Sequence, residues 1–407
     1  MNASSNILIS LAFVFTFFSV EIKSQNTNTY DPVIQTIVNA VNGDTIWDDI
    51  SKLVILERYS INTTAIQSSN FLKGYFTGLG FDTVFFQNYQ SGYIPNVIAV
   101  KYGTIYPDSV IVIGAHYDVY ASGAPGADDN GSGTAAVMET GRVIAGYNFK
   151  RTIKLVCFSG EEEGLYGSTE YANTAFLTGE KIKAVITMDM IAYLKAGDQI
   201  NSDVYYNNAS LGLRNTYAGI ASLYIPGFTV SNATYPTGAG SDVEPFWNNG
   251  YKAIFPCEGQ FSGYPQNNHC SPYIHTSDDI LGVSANSKTQ AEKITQSVVA
   301  TLATLAELKQ QTGIINAFPA PDNSYISVCP NPATSEIKLN YYIPENEDIK
   351  LSIYNIFGEV IKTFYNTTGT EGLSEIVIPV LNLQNGIYFI YITSKNFYIN
   401  KKIIVSR

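Results

Sequence analysis

Short apolar runs that alternate with helical stretches constrain the fold of this chain more than any other feature. The apolar runs lie at residues 97–100, 110–115, 153–158, 184–188 and 253–255. Stretches of helical spacing lie between or after them, at 134–147, 168–177, 210–223 and 287–311. This alternation is typical of α/β proteins, in which strand–helix–strand units build a parallel sheet. We therefore predict an α/β domain with a mostly parallel mixed sheet and helices on both faces. Residues 30–90, which include a predicted helix around 67–79, are expected to form the first layer of the same domain.

The sequence pattern changes after residue 312. Residues 313–323 include Phe318-Pro319-Ala320-Pro321, which is typical of a linker. Beyond them, about seven short β-rich runs are separated by Asn and Gly turn residues, a pattern that favours a small β-sandwich. We predict a first domain over 25–312, a linker over 313–323 and an all-β sandwich over 324–407.

The first residues resemble a secretory signal. Residues 7–18 are apolar except for Ser10 and Thr16, too short to span a bilayer but suited to the apolar core of a signal peptide. Small Ser24 precedes Gln25, so we predict a signal peptide over 1–24. A membrane anchor or a buried N-terminal helix is the alternative. No later stretch approaches ~18 unbroken apolar residues, so we expect no integral membrane segment in the mature protein.

The charge balance excludes some functions. Lys and Arg number 24 and Asp and Glu number 35, which gives a net charge of −11. Charge-driven binding to nucleic acid is therefore not expected. The excess of acids falls within residues 25–323, where it fits either binding of multivalent cations or solubility. The chain has three histidines, and no two are four apart, so a HExxH zinc helix is excluded.

The cysteines point to one pairing. Export permits a disulfide between Cys257 and Cys270, which bracket a loop rich in Gly, Asn and Pro. Cys157 lies in an apolar run and is expected to be a small buried residue.

Polar residues cluster where the predicted strands end. His116 and Asp118 follow one run, Glu161 and Glu162 follow the next, and Asp189 follows a third. In open α/β sheets, ligands bind beyond the carboxyl ends of the strands, so these side chains should share one crevice. Two further segments, 125–133 and 275–279, add Asp and His residues. Such a set suits two metal ions that share a bridging carboxylate, with a spare glutamate as general base.

Five motifs together resemble the co-catalytic dizinc aminopeptidases, the bacterial leucyl aminopeptidase type of peptidase clan MH. The resemblance covers roughly residues 45–312 and agrees in the order and spacing of all motifs. The motifs are His116-Tyr117-Asp118, Gly126-Ala127-Asp128-Asp129-Asn130-Gly131-Ser132-Gly133, Glu161-Glu162-Glu163-Gly164-Leu165-Tyr166-Gly167-Ser168, Met188-Asp189-Met190 and His275-Thr276.

The resemblance implies a zinc-exopeptidase fold and two Zn²⁺ per chain. It implies five metal ligands, namely His116, Asp128, Glu162, Asp189 and His275. Asp128 would bridge the ions, with His116 and Asp189 completing one site and Glu162 and His275 the other. A cis peptide between Asp128 and Asp129 is also implied.

The same resemblance implies the chemistry. Glu161 would be the general base toward a water that the two zinc ions activate, and Asp118 would hydrogen-bond His116 and fix its tautomer. Substrates would be peptides with a free N-terminus.

Three other functions remain open. A related glutaminyl cyclase uses one zinc, but its family carries a different loop from residues 127–131 of this chain. A carboxypeptidase of the same fold is possible. A non-catalytic surface binding protein with a vestigial metal site is the third, and the intact Glu161 argues against it.

The tail carries a second resemblance. Its motifs are Cys329-Pro330-Asn331-Pro332-Ala333, Tyr354-Asn355-Ile356-Phe357-Gly358 and Leu383-Gln384-Asn385-Gly386-Ile387-Tyr388. They resemble the C-terminal sorting domain of the type IX secretion system, although Cys329 stands where an aromatic residue is commoner. The resemblance implies that outer-membrane secretion machinery engages residues 324–407, and that the protein travels through the periplasm to the cell surface or the medium. The alternative is a carbohydrate-binding or adhesive module.

Overall fold

The computed structural model describes residues 29–233, 240–260, 269–309, 325–343, 346–355, 360–369, 372–394 and 398–406. The predicted signal peptide and the predicted linker lie outside these ranges. Among the described residues, no helix combines the length and the apolar character needed to cross a lipid bilayer.

The first part of the chain forms a mixed sheet with flanking helices. Its helices are α1 (Pro32–Asn39), α2 (Gly43–Leu53), α3 (Ile66–Gly78), α4 (Gly131–Ile144), α5 (Tyr166–Leu177), α6 (Leu211–Tyr224), α7 (Glu244–Asn248) and α8 (Lys288–Leu305). Its strands are β1 (Thr83–Gln87), β2 (Asn96–Lys101), β3 (Tyr106–His116), β4 (Arg151–Phe158), β5 (Lys181–Thr187), β6 (Asn201–Tyr206), β7 (Thr229–Ala233) and β8 (Ala253–Cys257).

The strands pair in the order β1-β2-β4-β3-β5-β8-β6-β7. The pairs β3–β4, β3–β5, β5–β8 and β6–β7 are parallel, and the other three are antiparallel. The predicted α/β class and mixed sheet are therefore confirmed. Strands β1, β6 and β7 were not predicted, because edge strands such as β7, with the sequence Thr-Val-Ser-Asn-Ala, have no apolar run to mark them.

Alternation along the central strands explains the helices on both faces. Ile111 and Ile113 of β3 join one core cluster, which packs against α2, α3, α4 and α8. Val110 and Val112 point to the opposite face and pack with residues of α5 and α7. Because successive side chains of a strand point to opposite faces, an almost continuous apolar run requires cover on both sides. Cys157 in β4 is fully buried, as predicted.

The start of α4 needs glycine because the helix approaches the sheet closely. A Cβ at Gly133 would lie 2.3 Å from Asn130 Oδ1 and 2.6 Å from Met188 O. Asn130 caps the helix by accepting a hydrogen bond from Gly133 N at 2.9 Å, and its Nδ2 donates to Met188 O. This contact brings the loop before α4 against the end of β5.

Cys257 and Cys270 lie side by side at the end of β8. Both are buried, and their Sγ atoms are 3.8 Å apart, although no disulfide joins them in the structure. The expected bond therefore remains a prediction, with the two sulfur atoms already adjacent.

The tail forms two antiparallel sheets with a shared core. Its strands are β9 (Tyr325–Cys329), β10 (Glu336–Ile343), β11 (Glu347–Asn355), β12 (Val360–Gly369), β13 (Gly372–Pro379), β14 (Gly386–Thr393) and β15 (Tyr398–Val405). One sheet has the order β13-β10-β9 and the other β12-β11-β14-β15. Ile337 of β10 and Ile390 of β14 belong to one buried cluster between the sheets, so the predicted β-sandwich is confirmed.

Candidate metal centre

Three neighbouring parallel strands bring the predicted polar residues to one edge of the sheet. His116 is the last residue of β3, and Asp189 lies two residues beyond β5. Glu161 and Glu162 follow β4 in the same way. Because β4, β3 and β5 are adjacent and parallel, their carboxyl ends meet, and the side chains converge as expected.

The carboxylate at the centre of this group is Asp129. Its Oδ1 lies 3.4 Å from His116 Nε2, and its Oδ2 lies 3.1 Å from His275 Nε2. One carboxylate thus faces both imidazoles, with one oxygen toward each. This is the position that the family resemblance implied for Asp128.

Asp128 itself points elsewhere. Its Oδ1 accepts a hydrogen bond from Ala192 N at 3.0 Å, in the chain that continues from β5. The two adjacent aspartates therefore project in different directions, and Asp129, not the expected Asp128, lies between the two histidines. The implied cis peptide is displaced in the same way, since it joins Asp129 to Asn130 and not Asp128 to Asp129.

The remaining predicted side chains surround Asp129 in two groups. Glu162 Oε2 lies 2.9 Å from His275 Nε2, and Asp189 Oδ1 lies 3.4 Å from His116 Nε2. Donor atoms of His116, Glu161 and Asp189 all lie within 4.8 Å of one another, as do those of His116, Asp129 and Glu162. The structure therefore gathers every predicted site residue except Asp128.

Asp118 lies behind His116. Its Oδ1 is 3.6 Å from His116 Nδ1, on the side of the ring opposite Asp129, and its Oδ2 accepts a hydrogen bond from Glu162 N at 3.3 Å. Asp118 is fully buried. The carboxylate is placed to orient the imidazole and to tie the loop after β3 to the loop after β4.

The close packing of acidic side chains dominates the electrostatics of this site. Burial opposes a charge on His116, but Asp189 and Glu161 outweigh it and hold the pKa of His116 well above its usual range. Hydrogen bonds to Asp129 and Glu162 raise the pKa of His275 to about 10. Burial, with negative neighbours, raises the pKa of Glu162 to about 8.

Asp129 shows the opposite shift. Burial acts to raise its pKa, but the neighbouring imidazoles of His116 and His275 lower it below the usual range. Around Asp129, burial raises the pKa of Glu161 and of Asp189. Such a cluster favours an added positive charge.

Several donor atoms of the cluster fit a metal ion. Within the part of the chain that the structure describes, both ring nitrogens of His116, Glu162 Oε1 and Asp189 Oδ1 are buried and make no hydrogen bond. Buried polar atoms normally have a partner, so orphaned ones need an explanation. Imidazole nitrogen and carboxylate oxygen are ligands that zinc prefers. The residues present therefore fit zinc.

Three residues that were not predicted as site residues, Arg58, Ser241 and Asp279, hold the site from outside. Asp279 Oδ1 accepts from Asp128 N at 2.8 Å, and Asp279 Oδ2 accepts from Asp129 N at 3.1 Å. Ser241 Oγ donates to Asp189 Oδ2 at 3.2 Å. Arg58 donates to backbone carbonyls in the chain between β3 and α4. Asp279 lies in the segment 275–279 named above, and Ser241 lies in a segment that resembles the family's stretch beside the substrate pocket, whereas Arg58 offered no sequence signal.

Fold and site together define a metal-binding α/β protein, and comparison with known proteins identifies its family. The model described as peptidase family M28 matches residues 96–302, and the model described as secretion system C-terminal sorting domain matches residues 327–406. The chain belongs to peptidase family M28. It also carries a C-terminal sorting domain, which marks it as a secreted or cell-surface protein.

Similar proteins agree with this family. A probable zinc metalloprotease of Pyrenophora tritici-repentis is 32% identical over 203 residues, which are 43% of this chain and 42% of that protein. A probable leucine aminopeptidase of Trichophyton verrucosum is 30% identical over 199 residues, 46% of this chain and 50% of that protein. The chain thus spans half or less of the length of these curated relatives.

A solved structure extends the likeness to the fold. The LapA aminopeptidase of Legionella pneumophila is 27% identical, with a TM-score of 0.62, and the match covers 69% of this chain and 76% of that one.

The double contact of Asp279 yields a stability prediction. Asp279→Ala removes the acceptor of two buried backbone N–H groups, and a hydrogen bond to a charged group contributes about 1.5–3 kcal/mol. We expect the free energy of unfolding to fall by about 3 kcal/mol in urea denaturation. Asp278→Ala, at an exposed neighbour, is the control and should change it by less than about 0.5 kcal/mol. Equal effects of the two variants would contradict the assigned role.

Proposed function

We propose that the protein is a secreted, zinc-dependent aminopeptidase. The observation that carries this proposal is the cluster in which Asp129 faces His116 through one oxygen and His275 through the other. The names of its relatives and of the matched LapA structure support the same activity.

Two zinc ions would be held by five residues. His116 and Asp189 would hold one ion, Glu162 and His275 would hold the other, and Asp129 would serve both. When bound, the ions would polarise the scissile carbonyl and lower the pKa of a water. Asp118 would hold the His116 ring in the tautomer that leaves Nε2 free for the metal.

Glu161 would move the proton. Its carboxylate lies within 4.8 Å of donor atoms of His116 and Asp189, yet Glu162 and not Glu161 contacts the second histidine. It is therefore the spare carboxylate of the cluster. It would accept a proton from the attacking water and return that proton to the leaving amine.

The excess of acids also favours the substrate class. A free α-ammonium group is a cation that an acidic crevice attracts, whereas a C-terminal carboxylate is repelled. Peptides with an unblocked N-terminus fit this charge. The sorting domain supports engagement of the chain by secretion machinery of the outer membrane.

An assay with a chelator tests the activity. Aminoacyl-p-nitroanilides should be hydrolysed, EDTA should abolish hydrolysis, and zinc should restore it with about two ions bound per chain. Cyclisation of N-terminal glutamine without release of other residues would indicate a cyclase instead. Release from the C-terminus would indicate a carboxypeptidase, and zinc binding without any turnover would support a binding protein.

Replacement of Glu161 tests the general base. Glu161→Gln keeps the shape of the side chain but cannot take up the proton, so kcat should fall by about 10²–10⁴-fold while the zinc content stays unchanged. Glu163→Gln, two residues away, is the control and should keep most of the turnover. Substantial turnover by Glu161→Gln, measured with the zinc content verified, would remove Glu161 from this role.

A pair of matched variants tests the bridging carboxylate. Asp129→Asn removes the charge that faces both histidines, so zinc bound per chain should fall to one ion or fewer. Asp128→Asn keeps an oxygen for Ala192 N and should retain two ions. Metal analysis after dialysis measures both. The reverse result would restore Asp128 as the bridge.

A further inference from the structure

A short segment before the sheet contacts the loops that carry the metal-binding side chains. It comprises residues 57–60, between α2 and α3. Glu57 Oε2 accepts from Ser122 Oγ at 2.9 Å, in the loop after β3, and Ser60 Oγ donates to the carboxylate of Glu163, in the loop after β4. Between these two contacts lies Arg58, which is fully buried.

The guanidinium of Arg58 joins two parts of the site. Its Nη1 donates to Tyr117 O at 3.3 Å, and its Nη2 donates to Pro125 O at 2.5 Å and to Gly126 O at 2.7 Å. Tyr117 lies between His116 and Asp118. The planar guanidinium has a fixed fork of donors, so it sets the separation of the carbonyls that it binds.

Gly126 shows how tightly the second part is held. Its carbonyl also accepts from Gly131 N at 3.0 Å, which closes the turn that contains Asp129. Gly126 has a φ of +53°, and a Cβ there would lie 2.7 Å from Asp129 O and 2.8 Å from Arg58 Nη2. The turn therefore rests directly on the guanidinium, with no space for a side chain between them.

Charge alone would give Arg58 a different role. Burial lowers the pKa of Arg58 to about 10, so it remains a cation at neutral pH, close to Asp279, Asp118, Asp129 and Glu162. A cation at this place repels a metal ion, and its removal should then strengthen metal binding. A positioning contact predicts the opposite, because its removal lets the two loops separate.

We propose that Arg58 is a positioning residue that fixes the His116 loop relative to the Asp129 turn, so that their side chains meet at one metal centre. The inference rests on the proposed zinc site. Removal of residues that orient metal ligands typically costs 10–100-fold in metal affinity.

Zinc affinity, measured by competition with a chromophoric chelator on the full chain, tests this role. Arg58→Met should weaken zinc binding by about 10–100-fold. Arg58→Lys keeps the charge but loses the fork, so it should also weaken binding by at least about 10-fold. Arg142→Met is the control: Arg142 lies on α4, donates to Ala40 O and pairs with Glu139, and its loss should lower the unfolding temperature without changing zinc affinity.

The outcomes separate the two proposals. Unchanged zinc affinity in Arg58→Lys, or tighter binding in Arg58→Met, would overturn the positioning role while leaving the zinc site intact. If Arg58→Met does not fold, the Lys variant decides. Absence of zinc binding by the unaltered protein would overturn the proposed function itself, and this inference with it.

Discussion

The gathering of like charges at one sheet edge is the constraint on which the rest of the site depends. Five carboxylates, from Asp118, Asp129, Glu161, Glu162 and Asp189, surround two imidazoles, and buried charges are costly unless they are paired. The parallel order of β4, β3 and β5 forces this meeting. The loops therefore need firm supports. The carboxylate of Asp279 accepts from two backbone N–H groups, and the guanidinium of Arg58 donates to three backbone carbonyls.

Much of this arrangement was accessible from the sequence, for a physical reason. A buried parallel strand is a continuous apolar run with a sharp end, so the polar residue that follows it is placed at the sheet edge. His116, Glu162 and Asp189 could be assigned in this way. The choice between Asp128 and Asp129 could not, because adjacent residues of a turn point in different directions and their side-chain chemistry is the same. In the structure, the contacts of Asp129 with His116 and His275 and the contact of Asp128 with Ala192 distinguish them.

Other features of the structure could not be predicted from the sequence, for similar physical reasons. Strands β6 and β7 have few apolar residues, and they form through pairing: β6 pairs with β8, which lies far away in sequence, and β7 pairs with β6. Arg58 gave no signal, since a single arginine outside any motif is normally exposed. By contrast, the tail sandwich was predictable, because its turns are marked by Asn and Gly and its runs alternate between inside and outside. Its boundary with the first domain remains a prediction.

The contact of residues 57–60 with the loops of the proposed metal centre bears on how much of the chain belongs to the first domain. The family match begins at residue 96, yet α1, α2 and α3 contribute to the main core, and Arg58 reaches under the site from the same region. A fragment trimmed to the matched residues would keep every proposed metal ligand but would lose Arg58 and helices α1, α2 and α3. The packed core of the first domain is therefore larger than the stretch of sequence that the family model matches.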